Sequence, residues 1–468
     1  MLRDGSNRRR RAARGQGGGS GMIIAFRADK RAAFPFGLTK EGSTRSACTK
    51  RRRARRSVPC MEARLNFHQA DSDGRSLEAL LQRQPEGCSL LQPFYTHEEI
   101  FRADIERIFM RHWLCAGHAG SAPNPGDFFT VEIAQESIII MRGRDGKLRA
   151  LVNVCRHRGS RVCLKAAGHA SVLVCPYHAW VYNLDGSVRS ARMMEAGFDA
   201  SNHGLKQIHL REIEGLVLIS FAPEPLDLSH AELSLKAALG PYGWAGAKVA
   251  HRQIYAIDAN WKLSVENYLE CYHCGPAHPE YSKLHALQQP LGQIAELNAR
   301  MEARSWALGL KIGVTDRRVA SSTGEAPIMT FRYALYEGVR SASEDGGPVA
   351  PLMGEFKDYD GGVTSTHFGP ASFFVAYADH GIIYRFMPLT ATTCAMELIW
   401  LVRGEAVEGV DYDKDRLTWL WRITSDADKR ITEDNQAGVK SRFYEPGPYA
   451  PMEPHLKRYI AWYLGEMA

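Results

Sequence analysis

The chain has 468 residues, enough for two to three domains with a sizeable core, and its 45% hydrophobic and 24% charged content is that of a globular protein rather than a disordered one. No stretch approaches the ~18 uninterrupted apolar residues of a membrane-spanning helix, which excludes an integral membrane protein. The formal charge of +7 sits in the wrong place for a nucleic-acid binder: residues 1–60 hold 17 Lys and Arg against three acids, so residues 61–468 are net acidic by seven charges.

In chain order, residues 1–60 form a basic low-complexity leader with Arg runs at 8–11 and 51–53 and a Gly run at 17–19. A basic arm for polyanions, an Arg-rich transit peptide and non-native sequence ahead of a truer start near Met61 are the three readings. The last fits best, because no apolar segment or amphipathic helix organises the charges. Residues 61–111 are expected to be an N-terminal helical segment. Ile100, Ile105, Ile108 and Phe109 fall near helical spacing, with Thr96 as N-cap and Glu99 as capping-box partner. From Asp127 to Ala222 short β-branched runs are broken by Asp-Gly at 145/146 and 185/186, which predicts a small antiparallel β domain over 112–222. Residues 223–468 mix helices (261–274 and 411–440) with strands (371–378, 381–388 and 395–402), an α+β pattern.

The ten cysteines make no disulfide framework. Cys48, Cys60, Cys88, Cys115, Cys163 and Cys394 read as free thiols. Cys155 and Cys175 differ: Cys155-Arg-His157 is followed, after seventeen residues, by Cys175-Pro-Tyr-His178. Each half pairs a thiolate with an imidazole. Zinc can use such a set, yet zinc fingers usually group Cys with Cys and His with His. C-x-H…C-x2-H on β loops suits a two-iron, two-sulfur cluster of the Rieske type, whose two neutral imidazoles raise its reduction potential. Gly159 and Pro176 suit the tight loops this needs, and Trp180 is the aromatic residue two positions past the last ligand.

A second constellation lies in NWKLSVENYLECYHCGPAHPEY, beginning at Asn260. Glu270 and His273 are i, i+3 on an expected helix. His278, at i+5 from His273, would point about 140° away on an unbroken helix, so Gly275-Pro276 is expected to end or kink the helix and let both histidines meet one metal. Two His and a separate carboxylate make the facial triad of non-haem Fe(II) oxygenases, with positions open for O2 and substrate. Asp428 is the expected carboxylate, since Trp421, Asp428 and Asn435 share one face of the 411–438 helix. Asp426 is the competitor, about 200° around the helix; Asp411 and Asp413 read as residues facing the helix dipole in its first turn.

Together these residues resemble the oxygenase (α) subunits of Rieske non-haem iron oxygenases over about residues 90–465, through NWKxxxEN, E-x2-H-x4-H and an Asp eight residues before Gln436. The resemblance implies a Rieske β domain ahead of a helix-grip catalytic domain, with an antiparallel sheet wrapping a long C-terminal helix. It implies that Cys155, His157, Cys175 and His178 hold the cluster, that His273, His278 and Asp428 hold the mononuclear iron, and that Asn267 lies beside it. It also implies a head-to-tail homotrimer in which Glu270 links His178 of one subunit to His273 of the next. Aromatic-ring dioxygenases usually carry Asp where Glu270 stands and have one more residue between Asn267 and the first His. That departure, with AVEGVDYD…DNQAGVKS…YEPGPY near the end, resembles the branch containing glycine betaine monooxygenase, stachydrine demethylase and carnitine monooxygenase. Such a protein would hydroxylate a C–H beside nitrogen and N-demethylate a small quaternary ammonium substrate held in an aromatic cage. Trp306, Phe331, Tyr333, Phe373, Phe374, Tyr377 and Tyr384 are cage candidates that double as core.

The chain has no G-x-G-x-x-G fingerprint and no plant-type ferredoxin Cys spacing, so electrons from NAD(P)H would come through a separate flavin reductase. The expected setting is cytoplasmic, with neither nucleic acid nor membrane as partner. The rival readings are an aromatic-ring hydroxylating dioxygenase α subunit and a Rieske electron-transfer protein with a vestigial second site.

Overall fold

The computed structural model describes residues 76–286, 290–313 and 324–468. The leader over 1–60, with Cys48 and Cys60, lies outside the described residues. The described chain opens with short helices at Leu77–Arg83, Pro93–Thr96 and Glu98–Asp104, the last continuing as a π turn over Ile105–Phe109. The expected cap is corrected here. Thr96 closes the Pro93–Thr96 turn, its hydroxyl donating to the Gln92 carbonyl at 3.0 Å, and His97 stands at the N-cap of the next helix without capping it through its side chain. Pro93, well placed in a first helical turn, starts a helix of its own ahead of the expected one. Cys88 is also corrected: it is disulfide-bonded, whereas Cys115, Cys163 and Cys394 are free.

Ten strands follow: β1 (Leu114–His118), β2 (Asp127–Ile133), β3 (Glu136–Arg142), β4 (Leu148–Val152), β5 (Ala167–His169), β6 (Leu173–Val174), β7 (Val181–Tyr182), β8 (Val188–Ser190), β9 (Gln207–Ile213) and β10 (Leu216–Ser220). Seven form one antiparallel sheet in the order β1-β10-β9-β4-β3-β2-β5, and β6, β7 and β8 form a smaller one. The Asp-Gly pairs make the expected hairpins. Gly146 turns β3 into β4 and Gly186 turns β7 into β8, at φ +75° and +86°, a region that costs glycine little.

The second half carries β11 (Ala247–Ile257), β12 (Ile328–Ala334), β13 (Gly362–Phe368), β14 (Ser372–Ala376), β15 (Gly381–Thr390) and β16 (Thr393–Arg403), ordered β11-β16-β15-β14-β13-β12 and antiparallel throughout. After β16 comes a 26-residue helix, Lys414–Val439, started by Asp413, whose carboxylate accepts from the Arg416 N–H at 2.8 Å. Its Leu417, Leu420 and Trp421 share a core with Tyr384, Leu398 and Trp400 of the sheet, the helix-grip arrangement. None of the described helices is long and apolar enough to cross a membrane.

The helix that leads to the second constellation, Trp261–Tyr268, is held by its polar residues. Asn260 caps it, accepting from the Lys262 N–H at 2.9 Å, and ties it to Ala391 and Gln436. Lys262 and Asp104 form a fully buried ion pair, and Trp261 Nε1 and the Tyr463 hydroxyl donate to the same carboxylate at 3.0 and 2.8 Å. Glu266, one turn on, accepts from the Tyr95 hydroxyl at 2.9 Å, and burial pushes its pKa up to about 8. Breaking a buried pair strands the remaining charge, so Lys262→Met is expected to cost about 3–5 kcal/mol in denaturant unfolding, while adding Asp104→Leu recovers much of the loss. A single-variant cost within about 1 kcal/mol, the scale of an exposed pair, would contradict this.

Candidate metal centres

The two Rieske-like loops share one backbone plan. Cys155 N donates to the Ser160 carbonyl and Gly159 N returns to the Cys155 carbonyl; Cys175 N donates to the Trp180 carbonyl and Ala179 N returns to the Cys175 carbonyl. Gly159 and Ala179 both take positive φ, +79° and +56°, so each loop reverses around its cysteine. Both cysteines are buried free thiols. The His157 and His178 rings lie 4.6 Å apart, and His157 stacks on Trp180 at 5.1 Å. His157 Nδ1 is buried without a partner. Two thiols, two imidazoles and an orphaned ring nitrogen on facing loops fit an iron-sulfur cluster. The Tyr182 hydroxyl, which the sequence reading missed, lies 3.1 Å from Cys155 Sγ and accepts from the Arg156 N–H, leaving its proton for the sulfur. His178 is exposed, and the loops open to the surface on its side.

The second centre is built differently from expectation. The helix ends at Tyr268, well before Gly275-Pro276, and residues 269–273 form a turn; Cys274–Ala277 is a single helical turn. Glu270 and His273 therefore meet across a turn, not on a helix face. Glu270 accepts from His273 Nδ1 at 2.5 Å and from the backbone N–H groups of Tyr272 and His273. With Nδ1–H given to Glu270, His273 turns Nε2 toward Asp428 Oδ1, 3.4 Å away. His278 Nε2 reaches the same oxygen at 2.9 Å and Asn267 Nδ2 at 2.8 Å. One ligand atom from each of His273, His278 and Asp428 lies within 4.8 Å of the others. Two nitrogens and an oxygen with cavity beside them fit a divalent iron with open positions. Asp426 is exposed on the other side of the helix.

Burial disfavours both charges of this cluster, but the contacts win. The Asp428 carboxyl is held down to about 2 by His273 and His278, and the His273 imidazole is pushed up to about 9 by Asp428 and Glu270.

A cavity of about 310 Å3 opens from His273, His278 and Asp428. Tyr268, Tyr281, Phe331, Tyr333 and Trp421 form its aromatic walls, and Glu270 and Asp428 are its acids; no described lining residue is Lys or Arg. Of the expected cage residues only Phe331 and Tyr333 line it. Trp306 is 84% exposed, and Phe373, Phe374, Tyr377 and Tyr384 pack in the core. Trp421 had a signal, being seven residues before Asp428; Tyr268 and Tyr281 had only their closeness to Asn267 and His278. Glu270 also borders a second cavity of about 280 Å3 with Glu266, Asn435 and Tyr449.

Two family descriptions match the chain: a Rieske 2Fe–2S domain over residues 112–209 and a ring hydroxylating alpha subunit catalytic domain over 244–468. The glycine betaine monooxygenase oxygenase subunit of Pseudomonas aeruginosa (strain UCBPP-PA14) is 36% identical over 402 residues, covering 83% of this chain and 91% of that one. The carnitine monooxygenase oxygenase subunit of Escherichia coli (strain K12) is 40% identical over 193 residues, 40% of this chain and 52% of that one. A crystal structure of a quaternary ammonium Rieske monooxygenase superposes with a TM-score of 0.62 at 25% identity, covering 81% of this chain and 95% of that one.

Because a metal must displace the proton that His273 holds while Asp428 and Glu270 keep its pKa up at about 9, Fe(II) uptake by the metal-free protein is expected to tighten by about tenfold per pH unit between pH 6 and 8. Chelator competition measures this; pH-independent uptake would show that no proton on His273 is displaced.

Proposed function

The chain belongs to the Rieske non-haem iron oxygenase α subunits, and from that premise we propose that it is the oxygenase component of a monooxygenase that N-demethylates a small quaternary ammonium compound. The observation that carries the substrate class is the cavity: aromatic walls, two acids and no Lys or Arg among its described lining residues. A quaternary ammonium group gains from ring faces and carboxylates without needing a hydrogen bond, whereas an arene gains nothing from the acids.

In this reading Cys155, His157, Cys175 and His178 hold the cluster, and His273, His278 and Asp428 hold the iron. When bound, the cluster supplies single electrons and the Fe(II) supplies O2 activation. The protein does the rest. Phe331, Tyr333 and Tyr281 hold the cation with a methyl group toward the ligands. Asn267 fixes Asp428 through Oδ1, and Glu270 fixes the His273 tautomer. Hydroxylation of the methyl C–H gives a hemiaminal, which collapses to formaldehyde and the shortened amine. One O2 and two electrons from NAD(P)H balance the reaction, with the second oxygen leaving as water. A separate flavin reductase delivers those electrons in a cytoplasmic setting. The working division is 61–111 as helical segment, 112–222 as Rieske unit and 223–468 as catalytic unit.

The assembly proposed is a head-to-tail homotrimer. Supporting it, His178 is exposed and the cluster loops pack in a core of their own, distinct from the one beneath the iron site. Glu270 would join His178 of one subunit to His273 of the next.

With a reductase supplied, a panel of betaines is expected to give NADH-dependent formaldehyde release and arenes none; Phe331→Ala or Tyr333→Ala should raise KM about tenfold, the scale of a desolvated cation–π contact. Arene diols without formaldehyde would establish the dioxygenase reading instead. Glu270→Gln should keep both metals yet slow single-turnover cluster reoxidation by about 10-fold or more, because a neutral amide accepts imidazole N–H bonds less well than a carboxylate. Normal reoxidation in that variant would remove the bridge.

A further inference from the structure

Two cysteines outside the expected sites flank a ligand of the proposed iron centre. Cys271 and Cys274 are joined by a disulfide, their Cα atoms 5.0 Å apart, with Tyr272 and His273 between them. Both line the 310 Å3 cavity together with His273, His278 and Asp428. Cys271 is half-buried and Cys274 is buried.

The stretch from Cys271 to His273 belongs to no helix or strand. It lies past the end of the Trp261–Tyr268 helix and has no ladder of backbone hydrogen bonds. Within it, Cys274 N donates to the Cys271 carbonyl at 3.3 Å; upstream, Tyr272 and His273 are tied to the Glu270 carboxylate, and downstream the His273 and Cys274 carbonyls accept from the Ala277 and His278 N–H groups, each at 2.9 Å, and the Cys274 carbonyl also from the Ser282 hydroxyl at 3.0 Å. The disulfide closes this stretch covalently on either side of His273, where its other ties are hydrogen bonds. A cross-link of this kind is seldom kept as a passive structural device where a thiol pool can reduce it, and one beside an O2-consuming cavity is well placed to respond to oxidant.

We propose that Cys271 and Cys274 are a reversible redox modification site, a dithiol that hydrogen peroxide closes to a disulfide, locking the Glu270–His273 turn so that the centre retains its metal. The inference rests on the proposed iron site. The oxidant is the two-electron reduction product of O2 released when no substrate consumes it. The more accessible Cys271 sulfur attacks the peroxide: an S–O bond forms, the O–O bond breaks and one water leaves. The Cys274 sulfur then displaces the sulfenic oxygen: the S–S bond forms, the S–O bond breaks and a second water leaves. The pair gives up two electrons and two protons, and the peroxide takes both. Two molecules of a glutathione-class thiol reverse the change by exchange.

The test uses the full-length iron-loaded protein. After treatment with dithiothreitol, or with hydrogen peroxide followed by removal of the excess, free thiols are alkylated and the 270–278 peptide is weighed. Reduced protein should carry two alkyl groups on that peptide and peroxide-treated protein none, with the mass of the internal disulfide. Iron release to a chelator should be about 10-fold slower from the oxidised form, the scale expected when a ligand's support is altered. Cys271→Ser/Cys274→Ser should release iron at the reduced rate whatever the pretreatment. Full alkylation after peroxide, or equal release rates from the two wild-type forms, would overturn the proposal. Both readouts come from the wild-type protein, so neither depends on the variant folding. A protein that forms the disulfide but takes up no iron in either state would fail the iron-site reading instead, and with it the lock.

Discussion

Lys262 carries an ammonium group into a part of the protein that water does not reach, and the position of the iron-site turn depends on how that charge is met. Burial pushes the Lys262 pKa down and the Asp104 pKa up. Donors from Lys262, Trp261 and Tyr463 on one carboxylate oppose that cost. These residues belong to the N-terminal helices, the Trp261–Tyr268 helix and the C-terminal helix Pro454–Met467, so the pair fixes three elements against one another. Such a pair adds little net stability beside an apolar alternative, but it admits one register. With the register set, Asn267 faces Asp428 and the chain leaving Tyr268 starts its turn at the cavity wall.

Asp428 Oδ1 is where the two ends of the catalytic half meet. Side chains some 150 to 160 positions earlier in the chain, Asn267, His273 and His278, all direct a nitrogen at one oxygen. In the metal-free protein protons hold this cluster together, which is why the carboxyl lies so low and the His273 imidazole so high. A divalent ion would take over the same attraction at the cost of releasing a proton. Prepaid convergence of this kind keeps ligands from having to be gathered at the moment of binding.

Where function rests on short spacing, the sequence made it legible. Cys155-x-His157 and Cys175-x2-His178 sit in loops of six residues whose backbones close on themselves, so residue type and spacing sufficed. His273 and His278 do converge on Asp428, but not for the expected reason: Gly275-Pro276 was expected to break a helix that in fact stops at Tyr268, where the polar anchors of the preceding turns run out. Asp428 was reachable because a long helix keeps its period. The cavity walls were not. Tyr268, Tyr281, Phe331, Tyr333 and Trp421 come from separate elements, and an aromatic residue on a buried strand such as Phe373 reads the same whether it faces ligand or core. The disulfides at Cys88 and at Cys271–Cys274 were invisible too, since pairing depends on Cα separation and not on count.

The length of the Glu270 side chain matches the turn it occupies. The turn from Leu269 to His273 has few residues in which to bring a carboxylate back onto the ring of its own His273. Glu270 does so with one oxygen on Nδ1 and the other on the N–H groups of Tyr272 and His273. An Asp here would be shorter by one C–C bond, about 1.5 Å, and could serve the backbone donors or the imidazole but not both. The side-chain length thus preserves the Nδ1–H bond that leaves His273 Nε2 free to face Asp428.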